Sequence, residues 1–260
     1  MMRALWSAAS GMIAQQMNLD VCSNNLSNVN TIGFKKFRAE FQDLYYQTLK
    51  QAGSQIAAGT SSPEGLQIGM GVQTVGTQRF YNQGDFQHTE NPFDLVIQGQ
   101  GFFRVILPDG SPAYTRDGSF KVDANGQIVT SDGFFLEPNI TINRDATNVT
   151  IAQDGTVSET VNGATTVIGQ ITLNKFVNPA GLESIGKNLF RETLASGPVV
   201  NGTAGLNGFG TIGQGILEMS NVRVADEMVN MIVAMRAYEA NSKAIQTADD
   251  MLRTANASKR

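Results

Sequence analysis

The chain carries one long helical signal at each end, and neither segment is stable alone. Residues 1–30 place apolar side chains at Leu5, Ala8, Met12, Leu19, Cys22, Leu26 and Val29. The steps alternate between three and four, with Gln15 breaking the series, which makes a heptad-like seam. Residues 222–256 mirror it with Val224, Met228, Met231, Met235, Tyr238, Ile245 and Leu252, interrupted at Ser242 and Asp249. Ser220 and Asn221 are candidate caps, and Asp226 and Glu227 suit the positive end of a helix dipole. A helix with one apolar seam needs a partner to persist in water. Two such helices at opposite ends of one chain find their most direct partners in each other. Only Arg3 and Asp20 are charged among the first thirty residues, fewer than a helix with a solvated back carries. The expectation is packing on several sides, by this chain and by other subunits, and these seam residues form a candidate assembly site. Every methionine except Met70 falls in or beside the two segments, and methionine adapts to irregular contacts.

Between the helices the texture is β. Asp109-Gly110, Asp117-Gly118, Asn125-Gly126, Asp132-Gly133, Asp154-Gly155 and Asn162-Gly163 are short-hairpin signals. They separate strand candidates at 95–98, 102–107, 113–115, 119–122, 127–130, 149–152, 156–161 and 165–176. No long helical pattern intervenes, so the pattern predicts an antiparallel barrel or sandwich and an α+β chain overall. Residues 50–65 read as a small-residue linker. Residues 195–215 hold many glycines and little that packs, and read as a structureless loop that is functional or ordered only by a partner. The resulting domain reading is 1–30 plus 220–260 as a helical inner, polymerising domain, 31–75 as a connecting segment with an extended arm, and 76–219 as a β-rich outer domain.

Composition narrows the function. Of 260 residues 16% are charged, and a charge-poor surface favours association. The net charge is −4 with no basic block, which argues against nucleic-acid binding. No run of about 18 apolar residues exists, so no membrane-embedded helix is expected. The start of the chain reads as mature structure rather than a signal peptide. Cys22 is the one cysteine and sits on the apolar stripe, where it reads as a small packed hydrophobe.

Catalytic and cofactor chemistry finds no foothold. His88 is the one histidine, without a Gly-x-Ser-x-Gly elbow or clustered metal ligands, and reads as a strand-edge residue. Gly99 and Gly101 follow a strand candidate, but position 104 is arginine and no helix follows. They read as a bend in a sheet, not a dinucleotide loop. The Asp-Gly pairs read as turns, not calcium ligands. The expectation is no enzyme, no cofactor and no metal. A secreted carbohydrate-binding or hydrolytic β-domain is the rival from another class, and it would need paired carboxylates that nothing here singles out.

Three segments carry a resemblance. Residues 24–35, Asn-Asn-Leu-Ser-Asn-Val-Asn-Thr-Ile-Gly-Phe-Lys, are similar to the signature that follows the first helix in the flagellar rod and hook family. Its matching positions here are Asn24, Asn25, Asn28, Thr31, Gly33, Phe34 and Lys35. The run from Ile97 through Gly99, Gly101, Phe102 and Phe103 to Val105, with Tyr114 to Phe120, resembles that family's β-domain. Residues 220–243 resemble its C-terminal helix. The resemblance implies terminal helices paired as a coiled coil and a helical homo-oligomer forming a rigid hollow drive shaft. The member implied is a structural subunit of the distal rod, with a proximal rod or hook subunit as the alternative within the family. It further implies a place in the basal body across the periplasm and export through the flagellum's type III apparatus. The implied neighbours are proximal rod proteins, hook protein and the P- and L-ring proteins. The Asn-rich turn is expected to satisfy backbone groups where the helix ends, with Gly33 at positive φ and Phe34 as an anchor.

Overall fold

Both terminal segments are helices in the computed structural model, which describes residues 2–53, 55–57, 60–61 and 63–257. The first, α1, spans Met2–Ser27, and the second, α2, spans Val224–Ala257. Contacts divide the chain into two units. The first holds the residues up to Ser27, then Phe37–Gln78, and those from Arg223 onward. The second holds Asn28–Lys36 and Arg79–Val222.

In the first unit α1 and α2 pack against each other, and the strand Phe37–Asp43 pairs with Val72–Arg79. Tyr46–Lys50 pairs antiparallel with Leu66–Gly69, and Gln55–Ala57 with Thr60–Ser61. The stretch read as a linker, 50–65, therefore contains the short pair Gln55–Ala57 and Thr60–Ser61; its positions 54, 58, 59 and 62 lie outside the described residues. Neither strand of the pair Phe37–Asp43 and Val72–Arg79 was among the strand candidates: residues 72–79 do not alternate, and the partner lies some thirty to forty residues earlier, beyond any local signal.

The second unit is antiparallel throughout its paired strands. Its largest sheet has seven strands in the order Lys121–Val122, Ile128–Val129, Phe135–Glu137, Phe103–Ile106, Pro112–Thr115, Leu189–Arg191 and Glu183–Gly186. A three-stranded sheet, Asn148–Ile151, Thr156–Val161 and Ala164–Gln170, stands beside two-stranded pairs. Alternation sorts the side chains. Phe103 enters the main core with Leu95, Ile97, Ile128, Val157 and Leu173, while its neighbour Phe102 joins Tyr114, Phe176 and Phe190 on the other side. That second cluster is held by edge-to-face rings with centroids 4.8 Å (Tyr114–Phe176) and 5.9 Å (Phe102–Phe190) apart.

Two expectations are corrected. Residues 195–215 are not a structureless loop. They contain Val200–Thr203, paired with Thr172–Lys175, and Thr211–Gln214, paired with Leu95–Gln98. Their glycines serve close approach: a Cβ on Gly210 would lie 2.5 Å from the Gln98 carbonyl oxygen. The stretch 165–176 is two strands in different sheets, Ala164–Gln170 and Thr172–Lys175. The break falls at the fully buried Ile171, whose N–H donates to the Gly155 carbonyl.

Candidate functional site

The helix pair is built on small side chains. Ala8, Ala14 and Cys22 of α1 and Ala234 and Ala248 of α2 are buried. Gly11 faces Asn241 so closely that a Cβ would lie 2.8 Å from Nδ2. On α1 the seam residues Leu5, Met12, Leu19 and Leu26 are half-buried. On α2 the packed line runs through Glu227, Met231, Ala234, Ile245, Ala248 and Leu252. Val224, Met228, Met235 and Tyr238, also read as seam, lie mostly on the exposed side. The sequence reading followed the large apolar residues, whereas close helix approach selects the alanines between them. Large apolar side chains consequently cover the outside: Trp6 is 69% exposed, Ile13 66%, Ile232 56% and Val233 62%. An apolar surface of this extent on two long helices is the mark of a contact surface.

The signature segment is divided between the two units. Asn25 is buried in the first. Its side-chain Nδ2 donates to the Phe37 carbonyl (2.8 Å) and to Glu227 Oε2 (3.2 Å), and its Oδ1 accepts from the Phe37 N–H (2.9 Å). One amide thus ties the end of α1, the following strand and the first turn of α2. Cys22 lies beside this knot, and burial, then the Glu227 charge, pushes its thiol up to about 11.

Asn28, Thr31, Gly33, Phe34 and Lys35 belong to the second unit. The Thr31 N–H donates to the Asn28 carbonyl and its hydroxyl to Asn28 Oδ1, and the Phe34 N–H donates to the Thr31 carbonyl. Gly33 has φ +67°, and a Cβ there would stand 2.8 Å from the backbone of Arg116 and Asp117. Its N–H donates to the Glu218 carbonyl at 2.8 Å. Position 33 therefore accepts only glycine. Gly33→Ala is expected to destabilise the β-rich unit by about 1–3 kcal/mol, with loss of soluble yield, checked by thermal melting of the full chain.

Two residues on, Lys35 is fully buried on Glu218, with Nζ 2.5 Å from Oε1 and 2.7 Å from the Asn82 carbonyl. Arg116 closes the cluster. Its Nε and Nη2 reach Glu218 Oε2 at 3.1 and 2.9 Å, and its Nη1 donates to the carbonyls of Gly99 (2.9 Å) and Gly101 (2.8 Å). The Gly84 N–H adds a third donor on Glu218, at 3.0 Å. Gly99 and Gly101, at φ +114° and +146°, turn their carbonyls to the guanidinium, which gives the sheet-bend reading its purpose. Two cations share one carboxylate, and carbonyl oxygens accept their remaining protons. Burial lowers the affinity of both Lys35 and Arg116 for their protons, with Glu218 opposing it. Asn221 finishes the closure: its Oδ1 accepts from the Lys36 N–H at 2.8 Å and its Nδ2 donates to the Phe80 carbonyl at 2.9 Å. The sequence reading named Lys35 but not its partners Glu218 and Arg116, nor the link from Asn221 to Lys36. They lie 80 to 190 residues away, and a lone Glu or Arg carries no local signal.

His88 is exposed on the strand Phe86–His88, paired with Ile216. Among the described residues no group of three His, Cys, Asp or Glu side chains could hold a metal, and no helix is long and apolar enough to cross a membrane.

Fold and site describe a structural subunit, with terminal helices that present apolar faces and a β-rich unit locked by buried ions. Three family models match in order along the chain. They are Flagella basal body rod protein over residues 5–35, Flagellar hook protein FlgE/F/G D1 domain over 96–159, and Flagellar basal body rod FlgEFG protein C-terminal over 214–258. The chain is 54% identical to the flagellar basal-body rod protein FlgG of Borreliella burgdorferi, over the whole of both chains. It is 52% identical to that of Buchnera aphidicola from Acyrthosiphon pisum, covering 97% of this chain and 98% of the relative. Against the Bacillus subtilis protein of the same name, identity is 42% over 97% of each. A Helicobacter mustelae flagellar hook protein FlgE matches only 53% of this chain and 30% of its own length, at 45% identity. The chain belongs to the FlgG family of flagellar basal-body rod proteins, as a structural subunit of the rod.

Proposed function

We propose that the chain polymerises into the distal rod, the length of shaft between proximal rod and hook, and that it catalyses nothing. The observation that carries this reading is the apolar outer surface of α1 and α2, which water disfavours and which further copies would cover. In the polymer the helices pack as coiled coils with their neighbours, and the seam residues, including the exposed Val224, Met228, Met235 and Tyr238, become interior. Close-packed interiors resist deformation, which is what torque transmission requires. The arm at residues 50–65 braces adjacent copies. P- and L-ring proteins surround the shaft, and the subunit reaches it through the flagellar export channel. Full-length similarity to rod proteins supports this over a hook role, since the hook relative is matched over less than a third of its length.

The test is electron microscopy of basal bodies from a strain lacking the gene. The expected result is non-motile cells whose rods stop short of the outer membrane and bear no hook. Complete hooks on normal rods would overturn the reading.

A further inference from the structure

The β-rich unit contains a cavity of about 360 Å³ lined by Tyr81, Phe102, Phe176, Gly99, Gly101 and Arg116, the last already paired with Glu218. Lys175 stands at its edge, and among the described residues no carboxylate lies within ion-pair distance of it. Val177, on the same edge, is 83% exposed. An aromatic-walled cavity with an unpaired cation at its mouth suits an aromatic side chain that has a carboxylate beside it.

The chain itself offers that combination. Tyr45 is 83% exposed, more than any other aromatic residue described. It occupies the corner between the strands Phe37–Asp43 and Tyr46–Lys50, fixed by the Leu44 N–H donating to the Gly71 carbonyl at 2.9 Å. Asp43, two residues before it, is exposed and pairs with no cation among the described residues. Trp6 is less suited, because Arg3 lies one helical turn away and would repel Lys175. Leu194 is fully exposed, but its turn is tied to Asn178 and Gly181, the neighbours of the cavity-lining Val177 and Pro179. The Thr193 hydroxyl donates to the Gly181 carbonyl (2.6 Å), and the Asn178 Nδ2 to the Ala195 carbonyl (3.0 Å). A knob beside its own hole makes a reciprocal contact that closes a dimer, whereas an open polymer needs two different surfaces on each copy.

We propose that Tyr45 of one copy fills the Tyr81–Phe102–Phe176 cavity of a second copy, with Asp43 reaching Lys175. The inference rests on the reading of the chain as a self-assembling rod subunit. It supplies a head-to-tail contact distinct from the helix packing.

The test uses full-length protein in cells and isolated basal bodies. A chain carrying Tyr45→Cys and Val177→Cys together is expected, after mild oxidation, to give a ladder of disulfide-linked multimers on a non-reducing gel. Cys22 stays silent because it is buried and its thiol is pushed up to about 11. A link closed within one chain, or normal rods without a ladder, would overturn the proposal. Independently, Asp43→Lys and Lys175→Glu are each expected to lower rod yield at least about tenfold, and the pair to restore most of it. Failure of the pair to restore would also overturn the contact. These results bear only on the contact, because the rod reading stands or falls on the deletion strain.

Discussion

Replacing Glu218 with Gln is expected to lower the melting temperature of the β-rich unit by roughly 10 °C, from a loss of about 3–5 kcal/mol. The size follows from charge count. Lys35, Arg116 and Glu218 are all buried, and the cluster carries one net positive charge. Without the carboxylate, two cations remain in a dry site with only neutral oxygens to face, the carbonyls of Asn82, Gly99 and Gly101 and the Gln83 side-chain Oε1. Lys35→Met tests the argument from the other side. It leaves a balanced Arg116–Glu218 pair, so its effect is expected to be smaller, about 1–3 kcal/mol. Melting of the full-length monomer, followed by the near-ultraviolet signal of Tyr81 and Tyr114 in this unit, measures both. An equal or larger effect of Lys35→Met would show that packing, not charge balance, sets the stability of the cluster.

Val233→Asp is expected to abolish rod formation while leaving the isolated monomer as stable as before. Val233 is 62% exposed in the monomer, so a carboxylate there is solvated and harmless. If neighbouring helices cover it in the rod, each contact must bury an unpaired charge, at a cost of several kcal/mol. That is at least about a hundredfold per contact in the association constant. The control is the adjacent Ala234→Asp. Ala234 is buried between the helices, so the same charge one residue on should undo the helix pair in the monomer itself. Helical circular dichroism, with Trp6 fluorescence as a reporter on α1, separates the two effects. Rods forming normally with Val233→Asp would mean that this face of α2 stays in water.

These experiments turn on the difference between what was legible along the chain and what was not. The terminal helices were legible because 3.6-residue periodicity repeats over seven or more turns, far longer than chance sustains. Five of the six Asp-Gly and Asn-Gly turns were legible because positive φ is a property of single residues: Gly110, Gly126, Gly133, Gly155 and Gly163 adopt it, whereas Gly118 does not and instead lets the backbone pass close to the Leu95 carbonyl. Gly33, expected at positive φ from the resemblance of residues 24–35, adopts it too. The inward face of α2 was not legible. The buried residues Ala234 and Ala248 carry little hydrophobic signal next to Met228 or Val233, and only the approach of α1 makes a small side chain the better one. The strand Thr211–Gln214 was obscured by Gly210, whose reason is the Gln98 backbone more than a hundred residues earlier in sequence, and Val200–Thr203 by Gly202, which packs against the Phe209 ring.

The sequence by itself therefore determined the local geometry: which segments coil and where the chain turns. Only the tertiary structure decided the long-range pairings. It brought Lys35, Arg116 and Glu218 into one dry site, joined Asn25 to Phe37 and Glu227, and left the large apolar residues of α1 and α2 facing outward. The physical reason is that torsional preference and turn chemistry act over a few residues. Ion pairing, burial and helix approach depend on neighbours that the order of residues along the chain does not reveal.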